Sequence, residues 1–217
     1  MSSRTNATPD RRRVLLLAGV ATAVVVVTGI AIALSGGSDE PASDAAVGGA
    51  YGPVIVEGAA LPRFESTSDD AAIGLDTPRV EGVDPDGNPV SIGVGTGAEP
   101  TMLVFLAHWC PHCQRELPVI VQLITRGDLD GIRSVAILTG TSPDRPNFPP
   151  QAWLDREGWT GEVLLDDEVT AAATSFGLSS YPYLVFLDAN GSVVARASGE
   201  LPASEVVALA DLAREAG

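Results

Sequence analysis

Two cysteines occur in this chain of 217 residues, and they stand together in Trp109-Cys110-Pro111-His112-Cys113. An apolar run, Thr101–Ala107, leads into them, and a stretch of helical periodicity leads out. That spacing puts Cys110 where a strand hands over to a helix. A thiol at a helix N-terminus faces unpaired backbone N–H groups and the positive end of the helix dipole, which favours its thiolate. Cys113, three residues on, shares the helical face of Cys110 and can close a disulfide with it. The chemistry this arrangement suits is dithiol–disulfide exchange, with the redox-active disulfide Cys110–Cys113 in place of any cofactor.

Two other readings compete. A structural disulfide across so short a loop restricts the unfolded chain little and adds little stability. A metal site would draw on His108, Cys110, His112 and Cys113, and copper is the metal to weigh in a non-enzymatic copper- or thiol-binding module. These four residues lie within a six-residue window, whereas known sites place two ligand pairs far apart. No metal ligand set is therefore assigned. His112, beside the sulfurs, is the residue expected to tune them: by hydrogen bonding or by its charge it stabilises the thiolate and makes the disulfide a stronger oxidant. His108 reads as a surface residue at the rim.

The elements that must position the dithiol follow from pattern. Thr101–Ala107 and Ile132–Leu138 are continuous apolar runs, as strands covered on both faces require. Pro111–Thr125 repeats apolar residues at Leu117, Ile120, Val121 and Ile124, a helix with Pro118 inside it to bend it. Val80–Ile92 reads as a hairpin about Asp86-Gly87. Thr139–Pro150 is a loop, Gln151–Glu157 a short helix, Glu162–Leu165 a strand and Glu168–Phe176 a helix stopped by Gly177. Tyr183–Leu187 and Ser192–Ala197 flank the Asn190-Gly191 turn, and Pro202–Glu215 is the last helix. Together they predict an α/β fold with a central mixed sheet and helices on both faces.

The first residues differ in kind. Residues 1–13 form a basic cytoplasmic start, and Val14–Leu34 carries no charge over 21 residues behind Arg11-Arg12-Arg13. That length spans a hydrocarbon core of roughly 30 Å as a transmembrane helix. The arginines hold the start in the cytoplasm and place the rest outside the cell membrane, single-pass. Ala31-Ile32-Ala33 offers a cleavage site and the paired arginines a twin-arginine route, but the apolar stretch exceeds a signal-peptide core and favours an uncleaved anchor. Residues 35–73, rich in Ser, Gly, Asp, Ala and Pro, read as a flexible extracytoplasmic linker, with room for one strand or packing piece around Pro53–Phe64. Residues 74–217 form the catalytic domain. All basic residues are Arg, and the formal net charge is −15, which excludes affinity for nucleic acid or anionic lipid surfaces.

The order of these elements resembles the thioredoxin fold. More narrowly, the chain resembles the membrane-anchored extracytoplasmic thioredoxins of the TlpA/ResA type. The matching pieces are the leading Gly82-Val-Asp-Pro-Asp-Gly-Asn88 hairpin, an N-terminal β-hairpin addition to that fold; Cys110–Cys113 followed by Glu116 and Pro118; Val163-Leu-Leu-Asp166; Tyr181-Pro182; and Phe186-Leu-Asp-Ala-Asn-Gly191. The resemblance implies that Cys110 is the exposed nucleophile and Cys113 the resolving thiol. It implies that Pro182 is the cis-proline facing the dithiol, with Tyr181 offering a backbone edge to an incoming peptide and Trp109 a contact surface. It places Glu116 where such proteins carry an acid able to move a proton to or from the resolving thiol. Val104 falls where ordinary thioredoxins have a buried Asp, so that relay is missing. Pro111-His112 is the dipeptide of DsbA-type oxidases, while the scaffold resembles reductases that prepare cytochrome c. The expectation is a protein thiol–disulfide oxidoreductase working on protein thiol or disulfide substrates with a membrane redox partner, its direction tilted toward oxidation.

Overall fold

The computed structural model describes residues 50–216. In chain order its elements are β1 (Ile55–Glu57), β2 (Arg79–Val83), β3 (Pro89–Ile92), β4 (Thr101–Leu106), α1 (Pro111–Arg126), β5 (Arg133–Leu138), α2 (Pro150–Glu157), β6 (Glu162–Leu165), α3 (Ala171–Ser175), β7 (Tyr183–Leu187), β8 (Val193–Ser198) and α4 (Ala203–Glu215). Residues 1–49, including the expected membrane segment Val14–Leu34, lie outside the described residues. Among the described residues no helix is long and apolar enough to cross a membrane.

Strand β4 is apolar throughout because both of its faces are covered. Met102, Val104 and Leu106 pack on one side with Leu117, Ile120 and Val206, while Leu103 and Phe105 pack on the other with Phe176, Tyr183 and Leu164. The alternation is the two-residue period of a strand. Five strands form the central sheet in the order β6-β5-β4-β7-β8. β4, β5 and β6 run parallel, joined through α1 and α2, and β7 and β8 run antiparallel to their neighbours. Parallel neighbours need such crossovers, whereas β7 and β8 need only a turn. That turn is built on Asp188, whose carboxylate accepts the N–H groups of Asn190 at 2.8 Å and Ser192 at 2.9 Å.

The expected hairpin is part of a three-stranded antiparallel sheet β1-β2-β3. The one strand or packing piece expected around Pro53–Phe64 is present, and residues 65–73, read above as linker, are packed onto the domain as well. β1 pairs with β2, and Leu61, Phe64 and Ala72 are buried in the second core. The N–H groups of Leu61 and Phe64 donate to the carbonyls of Ser175 and Gly177 at 2.8 and 2.9 Å. Arg196 of β8 fastens this segment: its guanidinium pairs with the Asp70 carboxylate, both side chains 1–2 % exposed, and donates to the Pro62 carbonyl at 2.8 Å. Beyond the Pro53–Phe64 patch, the Ser- and Asp-rich composition hid one apolar anchor, Ala72, and one buried ion pair.

Helix α3 is shorter than the expected Glu168–Phe176. Thr170 takes a left-handed backbone with φ 58°, and the side chains of Asp166 and Asp167 accept the first N–H groups of the helix, from Ala171 to Ala173, at 2.8–3.1 Å. Residues 166–170 therefore form the cap and leave α3 one turn and a half.

Candidate active site: a dithiol at the start of helix α1

Cys110 is the N-cap of α1, with extended backbone angles φ −75° and ψ 121°. Its own N–H donates to the Ala107 carbonyl at 2.9 Å and its carbonyl accepts Gln114 N–H at 3.1 Å, so the turn from β4 into α1 fixes where Sγ points. Cys110 is 6 % exposed and Cys113 fully covered. The nucleophile assigned from the resemblance is thus the thiol nearer solvent. The peptide Tyr181-Pro182 is cis, and the Tyr181 carbonyl accepts from Cys110 Sγ at 3.9 Å. Pro182 precedes β7, which neighbours β4, and that adjacency brings the two loops together.

Behind the dithiol the side chains are buried. Burial is the largest influence on the Cys113 thiol and pushes it well above the ordinary thiol range; the backbone of Ala107 opposes this, and Cys110 and Glu116 add to it. Glu116, one turn further along α1, is 1 % exposed. Burial pushes its carboxyl up to about 7, although Oε2 accepts the Leu201 N–H at 3.0 Å. Its other oxygen, Oε1, is buried with no protein partner. A carboxyl poised near neutrality beside a thiol that resists ionisation has the properties of a proton exchanger. Val104 is fully buried in the same core, so no acid stands at that position of β4.

His112 is exposed and turned to a carboxylate. Its Nδ1 donates to Glu200 Oε1 at 2.6 Å, and the Arg115 guanidinium donates to both Glu200 oxygens at 2.6–3.0 Å. Hydrogen bonds from Arg115 and then His112 hold the Glu200 carboxyl down at about 2. The side chain expected to tune the sulfur is therefore clamped with Arg115 by a residue of the β8–α4 turn, which the sequence reading missed because Glu200 lies 88 residues away.

His108 corrects the expectation of a rim residue: it is fully buried. Nδ1 donates to the Pro146 carbonyl at 2.7 Å, and Nε2 accepts the Ser142 N–H at 3.2 Å. A carbonyl can only accept and an N–H only donate, so the ring is neutral with its proton on Nδ1. Burial holds its pKa below the ordinary histidine value. Its backbone carbonyl accepts from Gln114 Nε2 and Asn147 Nδ2, both at 3.1 Å. His108 thus hangs the loop of residues 139–149 beside the dithiol. Trp109 Nε1 donates to the Gly140 carbonyl of that loop at 2.8 Å, and the Trp109 and Tyr181 rings meet edge to face at 6.1 Å. A Cβ on Gly140 would come within 2.5 Å of the Tyr181 hydroxyl, so glycine there is what lets the loop, Trp109 and Tyr181 close together. With both ring nitrogens of His108 engaged and His112 turned to Glu200, the four donors weighed for metal do not converge. Among the described residues no group of three or more His, Cys, Asp or Glu is placed to hold a metal ion.

The methylamine utilization protein MauD of Methylophilus methylotrophus is 30 % identical over 112 residues, 51 % of this chain and 48 % of MauD. The thiol-disulfide oxidoreductase ResA of Halalkalibacterium halodurans is 24 % identical over 94 residues, 42 % of this chain and 51 % of ResA. The chain thus spans about half the length of the curated relatives it matches. Among solved structures, a thioredoxin-family thiol:disulfide interchange protein of Chlorobium tepidum TLS superposes with TM-score 0.53 at 21 % identity, covering 67 % of this chain and 98 % of that one. That likeness shows a thioredoxin-like α/β fold, and the kinship with ResA supports an oxidoreductase. The Redoxin family matches residues 57–212, most of the chain, and the chain belongs to it.

Proposed function

We propose that the chain is an extracytoplasmic protein thiol–disulfide oxidoreductase, anchored through Val14–Leu34, that donates its Cys110–Cys113 disulfide to protein thiols. The observation that carries the reading is Cys110 at the start of α1, 3.9 Å from the Tyr181 carbonyl, with a covered Cys113 and a buried Glu116 behind it.

In the donor direction a substrate thiolate attacks Cys110 Sγ; the Cys110–Cys113 bond breaks and Cys113 leaves with the electron pair. Burial makes a Cys113 thiolate costly, so it takes a proton, and the Glu116 carboxyl one turn along α1 is the acid that supplies it. A second substrate thiolate then attacks the substrate sulfur of the mixed disulfide and releases Cys110. The substrate gains a disulfide, and the domain gains two electrons and two protons as two thiols. Tyr181 offers its backbone and Trp109 its ring to the polypeptide that brings the thiols. A membrane redox partner then restores the disulfide. Pro111-His112 supports the oxidising direction.

Glu116 favours a second reading. As a base near neutrality it would equally strip Cys113 for attack on a mixed disulfide, which suits a reductase such as those that prepare cytochrome c.

Equilibration of the full-length chain with glutathione, with Cys110→Ser as the control, decides the direction. A potential of roughly −120 to −180 mV makes it a disulfide donor, and about −270 mV or lower overturns that in favour of the reductase.

A further inference from the structure

The loop that His108 suspends carries a guanidinium with no carboxylate partner. Arg145 stands with its guanidinium carbon 5.3 Å above the Trp109 ring centroid, one residue from the nucleophile. Arg79, Arg115, Arg133, Arg196 and Arg214 are each paired with a carboxylate. Arg63, Arg126 and Arg156 donate to carbonyl or side-chain oxygens. Among the described arginines Arg145 alone has a guanidinium that donates to no protein acceptor; only its backbone N–H is engaged, on the Ser142 carbonyl at 3.1 Å. It is exposed, and Asp144 beside it makes no ion pair with it.

The position of Arg145 is built rather than incidental. The loop is pinned through His108 to Pro146 and Ser142, through Asn147 to the His108 carbonyl, through Gly140 to Trp109, and through the Thr141 carbonyl to the Tyr51 hydroxyl at 3.0 Å. Arg156 of α2 donates to Asn147 Oδ1 at 2.9 Å from the far side. Prolines at 143, 146, 149 and 150 stiffen it further. At 5.3 Å from the indole centroid the guanidinium makes a cation–π contact that uses none of its N–H donors, and that N–H fork matches a carboxylate. In a chain of net charge −15, a free cation beside the nucleophile is a local exception.

We infer that Arg145 is a specificity-determining residue that receives an acidic side chain close in sequence to the reacting cysteine of the substrate polypeptide. The inference rests on the dithiol reading above. A polypeptide delivering its sulfur to Cys110 between the Tyr181 backbone and Trp109 passes under the Arg145 fork, and an Asp or Glu there gains the carboxylate partner that the protein withholds.

The test uses the full-length oxidised chain and two reduced two-cysteine peptides, identical except that one carries Glu and the other Lys beside the cysteines. The readout is the ratio of kcat/KM for the Glu peptide to that for the Lys peptide. Arg145→Glu should lower this ratio about fivefold or more and Arg145→Ala about two- to fivefold, the range of an exposed charge pair. Arg126→Glu, at the remote end of α1, changes net charge equally and should leave the ratio where it is. Equal ratios in wild type and Arg145→Glu, or an equal shift with Arg126→Glu, overturn the inference while leaving the dithiol reading intact. Failure of the wild-type chain to exchange with either peptide overturns both.

Discussion

His108 and Ser142 are joined by a hydrogen bond of 3.2 Å from the Ser142 N–H to Nε2, and this bond exists only while the imidazole is neutral. Protonation would replace an acceptor by a donor facing a donor, in a ring with no exposure. No titratable side chain contacts the ring; its neighbours are the Pro146 carbonyl, the Ser142 N–H and the edge of Phe148.

The consequence is a pH dependence of fixed sign. In the unfolded chain His108 takes up a proton near pH 6.5, whereas in the fold burial delays it to lower pH. Below pH 6.5 the unfolded state therefore binds more protons, and stability falls as pH falls until the folded value is reached. His108→Gln keeps one of the two ring bonds and should cost about 1–3 kcal/mol at pH 7.5, with the cost shrinking toward pH 5.5. Urea unfolding across that range measures it; parallel pH slopes in the two proteins would show that His108 does not titrate with folding.

The case of His108 also shows what the sequence carried. Continuous apolar runs gave β4, β5 and β7 within a residue, since burial on both faces leaves an unbroken signal. The helical spacing of Leu117, Ile120, Val121 and Ile124 gave α1, and Gly127 with φ 79° stops it. Cys110 and Cys113 were legible because their chemistry and spacing are local, and Pro182 because the resemblance implied a cis-proline there. His108, Glu200 and Arg196 were not, because each is defined by a partner 34 to 126 residues away. An arginine in an edge strand reads as solvent-facing until Asp70 and the carbonyls of Pro62 and Phe176 cover it. Likewise, residues 65–73 read as linker until Ala72 enters the core and Asp70 meets Arg196.

Glu116 should show opposite effects on stability and turnover when changed to Gln. Its folded carboxyl is raised from 4.5 to about 7, so the fold binds an extra proton between those values and loses stability as pH rises through them. Above pH 7 the ionised, buried carboxylate is a standing cost. Gln keeps an oxygen for the Leu201 N–H without the charge, and at pH 8 should stabilise the chain by up to roughly 3 kcal/mol, the shift converted at 1.36 kcal/mol per unit, with no gain at pH 4. Exchange should slow by about tenfold or more at neutral pH, because Cys113 loses its proton partner. Unfolding curves and stopped-flow exchange on one sample check both; a variant that turns over at the wild-type rate would make Glu116 a structural residue only.

Arg196 is the strongest single tie between residues 50–73 and the sheet. Its guanidinium serves Asp70, the Pro62 carbonyl at 2.8 Å and the Phe176 carbonyl at 3.2 Å, and lies 5.5 Å from the Phe64 ring centroid. Arg196→Ala leaves the Asp70 carboxylate buried without its cation and two carbonyls without a donor. The expected loss is about 3–5 kcal/mol, seen as a fall in Tm of roughly 6–20 °C for a domain of this size. Replacing both partners by apolar residues, Arg196→Met with Asp70→Leu, should recover part of the loss, because the penalty lies in the stranded charge more than in the lost attraction. Thermal melts of the single and double variants separate these terms. If Arg196→Ala melts with the wild type, residues 50–73 are held by the β1–β2 pairing and the packing of Leu61, Phe64 and Ala72, and the ion pair contributes nothing net.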